Sequence, residues 1–125
     1  MKAWIGAVAL VGMLANEAAM AADPKLDGNG LLRQCQQFIK MMDGEKDFNR
    51  LDAGTCGGFV QGVSSTVFFF RGELKKDDKF CEPDTATGNQ LVRIVVKYLT
   101  DNPKMLNEGR TTLVWVALMD AYPCK

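Results

Sequence analysis

Four cysteines, Cys35, Cys56, Cys81 and Cys124, constrain this chain more than any other feature. All lie downstream of an N-terminal stretch that reads as an export signal. Lys2 forms a positive n-region, Trp4 to Leu14 an uncharged and largely apolar h-region, and Ala19-Met20-Ala21 and Met20-Ala21-Ala22 small-residue cleavage sites. The apolar run is too short to anchor stably in a bilayer. Removal of residues 1–22 leaves a single domain over 23–125, roughly 103 residues. No later segment is long and apolar enough to span a membrane. The expectation is therefore a periplasmic protein, with no membrane association after cleavage. An even cysteine count in so short an exported chain reads as a disulfide framework. Zinc is the rival reading, but its sites favour close cysteine pairs and histidine. No two of these cysteines are close, and the chain has no histidine. No C-x-x-C motif is present to support thiol redox catalysis.

Hydrophobic spacing predicts an all-α domain. Leu31, Leu32, Cys35, Phe38, Ile39 and Met42 recur on one face of a first helix, from about Gly30 to Met42. Asp43-Gly44 stops it, since glycine accepts the left-handed cap conformation. Asp47 to Gly54 is polar, with three apolar interruptions. Cys56 to Phe70 is ambiguous: Val67-Phe68-Phe69-Phe70 is rich in strand formers, yet the segment is longer than most strands. A second helix is the better reading. Gly58 and Gly62 then fall one turn apart and are expected to let another helix approach closely. Arg71 to Pro83 is a charged connection tied down by Cys81. Thr87-x-x-Gln90 is a capping box that opens a third helix along Leu91, Ile94, Val95, Tyr98 and Leu99. Asn102-Pro103 is expected to open a fourth, with Asn102 as its cap and Pro103 at its first position, running to about Ala121.

Four helices joined mainly by short loops suggest a small antiparallel bundle. That geometry brings Cys35 near Cys56 at one end and Cys81 near Cys124 at the other. In the chain-entropy description these two cross-links stabilise by about 3.4 and about 4 kcal/mol. For a domain of this size such terms matter.

The residues supply little catalytic apparatus. Histidine, the commonest general base, is absent. Ser64-Ser65-Thr66 lies in an apolar segment without an activating partner. Asp77-Asp78 and Asp84 lack the alternating oxygens of a calcium loop. The methionines outside the leader are scattered and read as core filler, not copper ligands. No metal, no cofactor and no catalytic residue is expected. Fifteen basic and fifteen acidic residues cancel, which leaves no electrostatic footprint for nucleic acid. A protein or small-molecule partner remains.

Read in order, the chain runs Leu31-Leu32-x-x-Cys35, Cys56-Gly57-Gly58-Phe59-Val60-x-Gly62-Val63 and Phe80-Cys81-x-Pro83. It continues Val95-Val96-Lys97-Tyr98-Leu99-x-x-Asn102-Pro103 and closes on Leu113-Val114-x-x-Ala117-Leu118-x-x-Ala121-Tyr122-Pro123-Cys124. This series resembles the Tai family of type VI secretion amidase immunity proteins over nearly all of residues 23–125. Where family members often carry an acid shortly after the glycine-rich block, this chain has Ser64-Ser65, so no role transfers there. The resemblance implies an exported, disulfide-bonded helical inhibitor, often a homodimer, that occupies the active-site cleft of a peptidoglycan amidase effector through a loop. The element suited to that task is the charged loop of Arg71, Glu73, Lys75, Lys76, Asp77, Asp78 and Lys79, held at its base by Cys81. A small periplasmic stress chaperone, or a binding protein without a cognate effector, is the alternative. An enzyme has no supporting constellation.

Overall fold

The computed structural model describes residues 26–125, and the leader reading of residues 1–22 lies outside them. The expected all-α bundle is what the chain forms. Its helices are α1 (Gly28–Met42), α2 (Arg50–Phe70), α3 (Gly88–Asp101) and α4 (Arg110–Ala121), with no strand among the described residues. Short 3-10 turns, Lys76–Asp78 and Pro103–Met105, punctuate the connections before α3 and α4.

Each helix starts and stops for a local reason. Asp27 caps α1, its carboxylate accepting the Gly30 amide at 3.0 Å. That backbone bond holds the Asp27 carboxyl below the usual aspartate range. Gly44 ends the α1 turn at φ +80°, a conformation glycine adopts without strain. Asn49 caps α2 by accepting the Asp52 amide at 2.9 Å. The Thr87–Gln90 capping box is complete in both directions and opens α3. The α4 N-terminus has no side-chain cap. The segment before it is instead stitched to the start of α1, by Gly28 N–H to Glu108 O at 3.0 Å and Asn29 N–H to Leu106 O at 3.1 Å.

Leu31 and Cys35 of α1, Val60 and Val67 of α2, Val92, Val95 and Leu99 of α3, and Leu113, Val114 and Leu118 of α4 form one continuous core. The α1 helix packs chiefly on α2 and α3, and α3 on α4. Cys35–Cys56 fastens α1 to α2, and Cys81–Cys124 fastens the α2–α3 connection to the segment after α4. No cysteine is free. The pairing is the one the bundle geometry required.

The structure corrects three expectations. The second helix begins at Arg50, not near Cys56, because Asn49 supplies a cap and Ala53 and Cys56 already face the core. The fourth helix does not begin at Pro103. Asn102 turns its side-chain amide back to the Tyr98 carbonyl at 2.8 Å, the turn after Pro103 is only three residues long, and α4 waits until Arg110. Gly58 and Gly62 do not pack against another helix of the same chain. Open space lies in front of both, whereas a Cβ at Gly57 would stand 2.8 Å from Phe38 Cε2. The close α1–α2 contact thus runs through Gly57.

Candidate functional site

The connection between α2 and α3 gathers all seven charged residues singled out from the sequence, and the structure gives them two different jobs. Arg71 and Lys79 close the loop on itself. The Lys79 ammonium donates to the Arg71 carbonyl at 2.7 Å, and the Arg71 guanidinium lies 4.2 Å from the centre of the Phe68 ring. Glu73, Lys75, Lys76, Asp77 and Asp78 are exposed, and among the described residues none of their side chains joins an ion pair. Lys76, Asp77 and Asp78 form the 3-10 turn at the tip.

Backbone fasteners hold this loop. The Glu73 and Leu74 amides donate to the Phe70 carbonyl at 2.9 and 3.1 Å, extending the end of α2. Leu74 is half-buried against the core and acts as a hydrophobic peg. The Trp115 indole N–H of α4 donates to the Asp78 carbonyl at 3.0 Å, while its ring meets the edge of buried Phe80. The Cys81 amide donates to the Tyr122 carbonyl at 2.8 Å beside the Cys81–Cys124 disulfide. A loop fixed at both ends loses less conformational entropy on binding than a free one.

An apolar neighbour borders the loop. Phe68, Phe69 and Phe70 end α2 with large exposed surfaces, Phe69 being 79% exposed. Phe69 and Phe70 meet edge to face, with centroids 5.0 Å apart. On spacing alone Phe59, Val60, Val63, Val67, Phe68 and Phe70 fit one helix face loosely, yet Phe68 and Phe70 are exposed. At about 100° per residue, consecutive helical side chains cannot all face the core, and Val67 takes the inward position. That run was the available signal. Trp115 and Leu74 carried none, because their role depends on which chain segments meet in three dimensions.

Among the described residues, no group of three His, Cys, Asp or Glu side chains is placed to hold a metal ion. No described helix is long and apolar enough to cross a membrane. The arrangement offers a held, charged loop beside exposed aromatics, which suits contact with another macromolecule. No curated protein and no solved structure matches the chain. Residues 27–124, the whole bundle with both disulfides, match the Rap1a immunity proteins. The chain belongs to the Rap1a immunity protein family.

Proposed function

We propose that this protein is a periplasmic immunity protein of the Tai type, which binds a peptidoglycan amidase effector delivered by type VI secretion and occludes its active site. The carrying observation is the Arg71–Lys79 loop, exposed at its tip and fixed at its base by Trp115, Leu74 and the Cys81–Cys124 disulfide. Its alternating charges set specificity and encounter rate more than raw affinity. Affinity at protein interfaces comes mainly from a few large anchors, and Phe68 and Phe70 stand beside the loop to supply them. Inhibition by occlusion requires no chemistry from the inhibitor, in keeping with the sparse catalytic inventory.

The homodimer implied by the family resemblance is part of this reading, and α2 offers it a face. Leu51 and Phe69 are 78% and 79% exposed. They lie about five helical turns apart and so point the same way. Gly58 and Gly62 sit between them with open space in front. This pattern is symmetric about Val60, so two copies crossing antiparallel there would set Leu51 of each against Phe69 of the other, with glycines at the crossing. A C2 contact demands such self-complementarity.

The exposed aromatic triplet also favours the second reading, a periplasmic chaperone that binds unfolded chains. Phe68→Ser together with serine at Glu73, Lys75, Lys76, Asp77 and Asp78 separates the two. An inhibitor loses binding to one folded amidase while its fold is unchanged. A chaperone never bound that amidase and instead loses its ability to suppress aggregation of a denatured client.

A further inference from the structure

The two disulfides sit in opposite surroundings. Cys35 and Cys56 are 0% exposed and belong to the core. Cys81 is exposed, Cys124 is half-buried, and neither belongs to the core. Thiol–disulfide exchange needs a thiolate to reach one sulfur, so exposed disulfides open while buried ones stay closed. Cys81 also lines a small pit of about 140 Å³ together with Arg71, Lys79 and Glu82. Two cations against one carboxylate favour the thiolate form of a cysteine released there. Beside the bond, the Cys81 amide donates to the Tyr122 carbonyl at 2.8 Å, within an isolated bridge of Phe80 with Pro123. So short a bridge is a light tie once the covalent one is gone.

From this we infer that Cys81–Cys124 is a redox tie on the charged loop, opened by a dithiol reductant while Cys35–Cys56 keeps the core closed. One thiolate of the dithiol attacks Cys81 Sγ and forms a mixed disulfide. The Cys124 sulfur leaves as a thiolate and takes a proton from water. The second thiol of the reductant, deprotonated, then attacks the reductant's own sulfur in the mixed disulfide. Cys81 leaves as a thiolate, and the reductant departs as its disulfide. Two electrons pass to the cysteine pair, and the reductant's two protons pass to it or to water. The base of the loop is then no longer joined to the segment after α4, while Trp115 still holds the Asp78 carbonyl. A loosened loop loses more entropy on binding, so the effector is held more weakly. That last step rests on the inhibitory reading above; the selective opening does not.

Graded dithiothreitol on the oxidised protein, quenched with iodoacetamide and mapped by mass spectrometry, tests the opening. Cys81 and Cys124 should be alkylated together, about tenfold or more ahead of Cys35 and Cys56. At that stage the helical spectrum should be unchanged. Hydrogen exchange should quicken about tenfold from Lys79 to Glu82 and after α4, and stay as it was across α1. Calorimetry against a peptidoglycan amidase effector should show binding weakened about tenfold and restored on reoxidation. Cys81→Ser with Cys124→Ser should bind like the opened form whether or not dithiothreitol is present. Alkylation of all four cysteines at one rate, or of Cys35 and Cys56 first, would overturn the proposal. Loss of helix on opening would make the bond a staple of the whole fold and overturn it equally, as would unchanged exchange at the loop base. Full binding by the opened form would overturn its control of the loop. If the oxidised parent binds no amidase, the inhibitory reading fails, and the order of alkylation still decides the tie.

Discussion

Three neighbouring glycines of α2 are expected to respond to alanine with opposite signs. A Cβ at Gly58 or Gly62 meets nothing within 4 Å. Within one copy alanine there keeps every contact and removes the entropic penalty of glycine in a helix interior, stabilising the monomer by about 0.8–1 kcal/mol at each site. At Gly57 the same gain is available, but the new Cβ would stand 2.8 Å from Phe38 Cε2 and 3.1 Å from Cδ2. Phe38 is itself buried against the core. Its ring has to move or the α1–α2 spacing has to widen, and such overpacking costs about 1–3 kcal/mol. The net change at Gly57 is therefore a loss of about 1 kcal/mol. For a domain of this size 1 kcal/mol moves the melting midpoint by about 4–8 °C. Circular dichroism melts at low micromolar concentration, with both disulfides intact, should show Gly58→Ala and Gly62→Ala above the parent and Gly57→Ala below it. Equal stabilisation at all three sites would refute the close α1–α2 contact. A loss above 1 kcal/mol at Gly62 would mean that another element covers that face of the monomer.

Replacing Cys81 and Cys124 by alanine should lower stability by about 4 kcal/mol, and replacing Cys35 and Cys56 by about 3.4 kcal/mol, as read from denaturant unfolding. Equal small losses would mean that the unfolded chain is already held compact. Trp115→Phe keeps the aromatic packing but removes the bond to the Asp78 carbonyl. It should cost about 1 kcal/mol and speed hydrogen exchange within the loop before the core; unchanged exchange there would deny Trp115 its fastening role. Asp27 has a lowered pKa in the folded protein, so its contribution is full above the ordinary value of 3.8 and disappears as pH falls through the lower folded value. Asp27→Asn keeps the cap acceptor without that titration. The stability advantage of the parent over Asp27→Asn should therefore shrink as pH falls through the ordinary value of 3.8 and then the lower folded value, and a constant difference would discount the charge.

How much of this was legible beforehand follows from how local each feature is. The Thr87–Gln90 capping box, the Gly44 stop and the core stripe of α3 are written within a few residues and were readable. The disulfide pairing was readable one level up, because an antiparallel bundle leaves few ways to bring its ends together. The start of α2 was missed because Phe48, Leu51 and Ala53 do not make a continuous apolar stripe; only Ala53 of the three is in the buried core. The start of α4 was missed because Asn102-Pro103 has all the marks of a helix N-terminus. The Asn102 amide instead returns to Tyr98, and the chain spends three residues in a 3-10 turn so that Leu106 can reach α1. For the candidate site, the charged loop was evident from composition. Its tie at Cys81 was evident too, but its fasteners Trp115 and Tyr122 were not, since they join it only through the fold.

The central claim is that the exposed loop tip binds an amidase effector while the rest of the bundle holds it in place. Calorimetric titration with a peptidoglycan amidase effector of type VI secretion is the direct measurement, with parent protein and with Glu73, Lys75, Lys76, Asp77 and Asp78 all changed to serine. These exposed charges contribute little to folding, so the variant should keep the parent's helical spectrum and melting temperature. The parent should bind tightly and one-to-one, the variant markedly more weakly, and the variant should lose protection in cells expressing the amidase in the periplasm. Full binding and full protection by the variant would contradict it and move the interface off the loop.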